Sequence, residues 1–335
     1  MRNGWYGSQL ANYWDANCRR SLAALMAVAL MVAGAAARAQ EDATSGDIEF
    51  APGVLTTIEP ALDRVDAISV HDVVDIRADE GLGWEPVANP KTRTLFEMAK
   101  DAPFLVDVWC LEFSFKPLRM IEVDIPQPSG RVQRKLIWYM VYRVRNTGAG
   151  LAPEVQPDGA FVTTQQGSEP IRFLPQLVLV SQDREAGDQR VRKAYLDRLI
   201  PAAMEPIRRR ELAEGRLLNS IEMTQEELRI EAGRAQRGSW GVAMWEDVDP
   251  SLDFFSVYVG GLSNAHRWVD PPGAYKAGDP PGTGRKITRK TLQLNFWRPG
   301  DEIAEDEREI RFGPAPDRAD LYDSGEGVAH RWVYR

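Results

Sequence analysis

Two of the chain's three histidines stand in one repeated phrase, Ala-His-Arg-Trp-Val, at 265–269 and again at 329–333. If folding joins His266 and His330 beside a carboxylate, the two imidazoles could hold a transition metal, because neutral imidazole is a common ligand. A milder chemistry needs no metal. Arg267 with Trp268, and Arg331 with Trp332, each combine a fork of donors with a flat apolar ring, residue types favoured where proteins recognise partners. The plainest reading makes each phrase the start of a strand, with Trp and Ala inward and His and Arg at its solvated edge. Alternation along a strand then puts His266 on the face of Trp268. The match also pairs Tyr258 with Tyr322 and Gly261 with Gly325, and goes no further.

Glu246-Asp247-Val-Asp249-Pro-Ser-Leu-Asp253 is the densest group of acids beside aromatic residues. Carboxylates on a short loop can wrap a hard cation, so Asp247, Asp249 and Asp253 are candidate calcium ligands. The stretch departs from the helix-loop-helix calcium pattern, with Leu252 where glycine belongs and Tyr258 where the closing Glu would stand. A solvated turn between two strands is the simpler reading, since Asp-Pro-Ser is good turn chemistry.

Other chemistries are missing their residues. Gly261-Leu-Ser263-Asn-Ala265 lacks the last glycine of a nucleophile elbow, and HExxH, CxxC, phosphate-loop and dinucleotide patterns do not occur. Nothing in the pattern calls for a cofactor. Paired carboxylates of the glycosidase kind are neither indicated nor excluded by so acidic a chain. Of the two cysteines, Cys18 falls in a leader-like segment and Cys110 lies in a strand-like run, where it reads as a small buried apolar residue.

That leader-like segment is Cys18–Gln40. Arg19 and Arg20 precede an apolar run at 21–36, and Ala37-Arg38-Ala39 supplies a small-x-small cleavage pattern. We therefore expect a signal peptide at 1–39, cut between Ala39 and Gln40. The run is short for a spanning helix, which needs about 20 apolar residues. The paired arginines leave ordinary and twin-arginine export both open. Losing four arginines and one acid moves the formal charge from −8 to −11. A chain this acidic has no electrostatic case for nucleic acid or for an anionic membrane surface.

Residues 40–95 carry weak signals and are expected to be a loosely structured N-terminal extension. Leu95–Ala102 could make one or two helical turns. From 104 onward, Leu111, Phe113 and Phe115 alternate with Glu112, Ser114 and Lys116, and Ile121, Val123 and Ile125 alternate with Glu122 and Asp124. Period two predicts strands with one face in and one out. Both faces are apolar in Lys135–Asn146, which predicts a central strand, and Pro175 marks a bend or edge in Ile171–Gln182. Between about 187 and 236 the period becomes helical: Tyr195, Leu199, Ala203 and Ile207 step by four, and Thr224 with Glu227 reads as a capping box. Strand character returns with Trp240, Val242 and Met244, then Phe255, Val257 and Val259, then Leu292, Leu294 and Phe296. A Pro/Gly-rich hairpin tip is expected at 270–284, and Val328–Arg335 is expected to be a last strand.

Two strand blocks around a helical insertion predict a mainly β protein. The expected form is an antiparallel β-sandwich, immunoglobulin-like in style, over 96–335. Residues 104–185 and 238–335 could be two sheets of one domain or two subdomains.

At Leu111–Pro126, Lys135–Gly148, Asp253–Trp268 and Leu292–Glu302 the chain resembles a set of exported bacterial proteins of planctomycete type. The resemblance covers roughly Phe104 to Arg335. It implies export, and brings no activity and no catalytic residues. The leading expectation is an exported, periplasmic or envelope-associated, non-enzymatic protein that binds or scaffolds an envelope protein or polysaccharide. It would keep no membrane span after cleavage. The second is a hydrolase of envelope or extracellular polymer, acting through carboxylates or through His266 and His330.

Overall fold

The computed structural model describes residues 55–70, 103–184, 192–212, 215–230, 238–269, 271, 283–299, 309–322 and 327–335. The expected signal peptide with its Ala39/Gln40 cleavage point, the turns at 95–102 and most of the hairpin tip lie outside them. No helix of the described residues is long and apolar enough to cross a membrane.

The chain is mainly β, with antiparallel sheets. The first strands are β1 Thr56–Ile58, β2 Ile68–Val70, β3 Pro103–Leu105, β4 Val108–Trp109, β5 Glu112–Phe115, β6 Arg119–Pro126, β7 Val132–Arg145, β8 Gly150–Val155 and β9 Phe161–Gln165. They are followed by β10 Gln176–Ser181, β11 Ala194–Leu196, β12 Ser239–Trp245, β13 Phe254–Gly260, β14 His266–Val269, β15 Lys286–Trp297, β16 Arg311–Phe312 and β17 His330–Tyr334.

The first sheet runs β1-β5-β7-β12, with β6 also on β7; the second runs β11-β10-β13-β15, with β14, β16 and β17 also on β15. Each is organised around one long strand whose edge is covered by two consecutive shorter ones. On β7 these are β5 and β6; on β15 they are β13 and β14. The break between β13 and β14 falls at Gly261, which adopts positive φ; a Cβ there would collide with the Leu174 carbonyl. Glycine is the residue that permits this turn without cost.

The strand blocks exchange members. β12 from the later block completes the first sheet, and β10 from the earlier block sits inside the second. One apolar cluster draws on both sheets: Trp138 meets Phe255 edge-on at 5.5 Å, and Phe115 meets Phe296 at 6.0 Å. Each fully buried aromatic ring of this kind contributes about 1.5–3 kcal/mol by leaving water.

The two apolar faces of β7 have separate partners. Trp138, Met140, Tyr142 and Val144 enter the shared core, while Ile137, Tyr139 and Val141 pack under the helical segment with Ala203 and Ile207. The helix there is Pro201–Glu211. Tyr195 lies in β11 and Leu199 is exposed, so the step-of-four pattern overran the helix start. Pro201 explains the start, since its missing N–H costs nothing in a first helical turn.

The second helix also begins earlier than expected. It is Ser220–Gln225, and its capping box is Asn219 with Glu222 rather than Thr224 with Glu227. Asn219 Oδ1 accepts from the amides of Ile221 and Glu222, and Glu222 accepts from the Asn219 amide at 2.9 Å. Glu227 instead pairs with Arg172, and Leu228 bridges to Ile171, which draws the chain into extended form.

The alternation in Leu111–Lys116 places one set of residues in the core, yet Glu112, Ser114 and Lys116 are buried too. Arg145 clamps Glu112 with two 2.7 Å bonds, Thr57 of β1 meets Ser114, and Glu211 meets Lys116. The polar face is therefore covered, in part by residues 55–70 of the expected loose extension. That segment forms β1 and a short helix, Arg64–Ala67, whose Asp66 is buried against Lys290 at 2.5 Å.

Candidate functional site

The repeated phrase meets one strand from both sides. β14 pairs with β15 so that His266 stands opposite Arg289, and β17 pairs with its other edge so that His330 stands opposite Leu294. Five residues and two strand spacings separate the histidines, roughly 19 Å. Opposed residues in an antiparallel pair share a face, and Arg289 and Leu294 are an odd number apart. The two copies therefore present the same residues to opposite faces of the sheet.

Their environments differ accordingly. His266 stacks on Trp268 at 5.3 Å and its Nδ1 lies 3.0 Å from the Asn264 carbonyl, while His330 is exposed. Trp268 takes Arg285 over its ring, whereas Trp332 packs on the shared core. Arg267 lies over the Tyr334 ring at 3.8 Å. Arg331 is anchored, with Nε donating to Gln293 Oε1 at 2.9 Å and Nη2 to the Tyr322 carbonyl at 3.2 Å. The phrase starts a strand twice, and the structure brings neither the histidines nor the Arg/Trp sets together.

Two of the three aspartates of the acidic stretch point to separate partners. Asp247 takes Lys135 at 3.1 Å, and Asp249 takes Lys193 at 2.8 Å and the Ser251 hydroxyl at 2.7 Å. The carbonyls of Pro250 and Leu252 accept from the buried Arg298 guanidinium. Asp253 is half-buried, and burial raises its carboxyl against the charge of Arg298; no group of three His, Cys, Asp or Glu among the described residues could hold a metal. Cys110 is buried, and burial raises its thiol to about pH 11.

Asp249 and Asp253 nonetheless belong to a polar cavity of about 400 Å³, formed where β10 ends, β11 begins and the β12–β13 turn comes round. Asp183, Arg184, Lys193 and Arg318 complete its charged wall. Arg184 reaches Asp320 at 2.7 Å, and the Arg318 guanidinium covers the Phe254 ring at 5.2 Å. Asp183 accepts from the Phe254 amide at 2.8 Å. Nothing local in Ser181-Gln-Asp-Arg184 distinguishes Asp183 from a turn residue; only the return of β13 gives it a role.

The carboxylates are driven apart in acidity. Burial, aided by the charges of Asp253 and Asp249 and opposed by two backbone amides, raises Asp183 to about 6. Lys193 and Ser251 hold Asp249 down at about 2. The folded Asp183 carboxyl takes its proton at higher pH than the unfolded one. Its contribution to stability is therefore full below about pH 4 and is lost as pH rises toward about 6. Asp183→Asn keeps the acceptor for Phe254 and removes the charge. In urea unfolding at pH 7.5 the variant should be about 1–2 kcal/mol more stable than wild type, a value reduced for residual solvent screening. The advantage should disappear toward pH 4; a variant equal to wild type at both pH values would refute this account.

No family model, curated protein or solved structure matches this chain.

Proposed function

We propose that this chain is an exported, non-catalytic binding protein of the cell envelope, built as a β-sandwich of immunoglobulin-like style. Its mixed-charge cavity receives a polar segment of an envelope polysaccharide or protein. The observation that carries this reading is how the charges lining the cavity are held. Lys193 fixes Asp249, Asp320 fixes Arg184, and the Phe254 amide fixes Asp183. Groups restrained in this way present a preformed surface, and preorganisation lowers the entropic cost of binding. Two antiparallel sheets sharing one core support the sandwich. The apolar run and the Ala-x-Ala pattern before Gln40 support export.

Co-sedimentation of the purified chain with insoluble envelope polysaccharide tests the reading. Wild type should pellet, and Lys193→Glu, which turns an attraction to Asp249 into a repulsion, should stay largely in solution. A wild-type chain that stays soluble with both polysaccharide and detergent-extracted envelope proteins would refute it. One observation favours a carboxylate-dependent hydrolase at the same cavity: the opposed acidities of Asp183 and Asp249 are those of an acid and a base. Release of reducing ends, abolished in Asp183→Asn, would select that second reading.

A further inference from the structure

At the other end of β10, a second cavity of about 370 Å³ opens on the outward face of the second sheet. Gly260, the last residue of β13 and paired with Gln176, lies in its wall. A strand glycine lets another group approach the backbone closely, and here that group is the Gln176 side chain, 3.3 Å from where a Cβ would stand. Next to it Tyr258 is 8% exposed, and the Arg335 guanidinium lies over its ring at 3.9 Å. Arg289 stands directly opposite Arg335, their backbones exchanging hydrogen bonds of 2.9 and 3.3 Å. Their Cα atoms are thus about 5.5 Å apart and both side chains leave the same face.

Like charges directly opposed across a strand pair are destabilising. Acids outnumber bases 49 to 41 in the chain, yet among the described residues neither guanidinium has a carboxylate partner. The neighbouring half of this face is closed by buried polar bonds, Gln293 to Tyr322 and Asn295 to Val328, so the open half is a bounded groove.

We infer that this groove is an oxyanion site, in which Arg289 and Arg335 together grip a carboxylate or phosphate group. A guanidinium offers paired N–H donors in the spacing of two oxyanion oxygens, and a bound anion removes the repulsion between the two forks. Tyr258 holds one fork in place by stacking. This site is separate from the mixed-charge cavity and does not depend on the function proposed there.

Calorimetric titration of the full chain with inorganic phosphate, with galacturonate and with neutral galactose tests the inference at low salt. Saturable binding of either anion and none of galactose supports it; the anion that binds identifies whether phosphate or a sugar acid is the source. Affinity should fall at least tenfold in Arg289→Gln and in Arg335→Gln, and should weaken as salt is added. Absence of saturable heat with both anions, equal binding of galactose, or undiminished affinity in a folded Arg289→Gln/Arg335→Gln variant would overturn the site.

Discussion

Replacing Asp66 by Ala should cost about 3–5 kcal/mol in urea unfolding at pH 7, because it strands the Lys290 ammonium inside the protein. The two side chains are 1% and 4% exposed and meet at 2.5 Å. Asp66 has no unused capacity for rearrangement: it also accepts from the Asp63 amide at 2.9 Å and from the Tyr334 hydroxyl. The pair fastens the 55–70 segment to β15 and β17, so its loss should release that segment first. A double variant, Asp66→Ala with Lys290→Met, should recover much of the loss, because it removes the stranded charge as well. Additive effects of the two single substitutions would contradict the coupling.

Acid supplies a second test of the same pair. Burial alone would raise the Asp66 carboxyl, but bonds from Lys290, Tyr334 and Asp63 outweigh it and hold the carboxyl below its ordinary value. A depressed carboxyl contributes stability that is present above its unfolded value and lost as pH falls through the folded one. Wild type should therefore lose this contribution below about pH 4, and the double variant should not.

The other large effect is expected at Glu211. This residue is 3% exposed on its side chain and gathers Tyr139 at 2.8 Å, Arg119 at 3.0 Å and Lys116 at 3.5 Å. Glu211→Ala should destabilise the chain by about 3 kcal/mol, near the low end for a broken buried pair, since the Glu211 carbonyl still accepts from Lys116. Burial already pulls the Lys116 ammonium below its ordinary value, against the attraction of Glu211. Without that carboxylate the ammonium is depressed further, so the unfolded chain binds more protons than the folded variant. Stability of the variant should then rise with pH, and its deficit should narrow between pH 7 and 9.5. A deficit independent of pH would mean that lost packing of helix Pro201–Glu211, and not a stranded charge, dominates.

These two clips were hidden in the sequence for a common reason. Lys116 was legible as the outward residue of an alternating strand, and Asp66 as one acid in a weakly patterned lead-in. Alternation reports which side of a strand a residue takes; it cannot report that a helix 90 residues later, or a segment 220 residues earlier, will cover that side. The apolar pattern of β7 was more informative because hydrophobicity on both faces demands two covers, whatever they are. The ends of β6, β12 and β13 follow the expected runs closely, whereas β7 begins three residues before Lys135 and β15 six residues before Leu292. The helix starts were missed by a few residues, because Asn219 offered a box as good as that of Thr224 and tertiary pairing of Leu228 chose between them.

The site followed the same division. Asp249 and Asp253 stand in a dense acidic stretch, but their neighbours across the cavity, Asp183, Lys193 and Arg318, come from two other, distant parts of the chain. By itself the sequence determined the β character, the strand periods, the helical interruption and the acidic turn, all of which are encoded within about ten residues. Tertiary structure alone decided the exchange of β10 and β12 between sheets, the ion pairs that clip the periphery, and the meaning of Ala-His-Arg-Trp-Val. Identical residues enter β15 from opposite edges with opposite face assignments, because a side chain's face is set by pairing register, and register is a property of two strands rather than one.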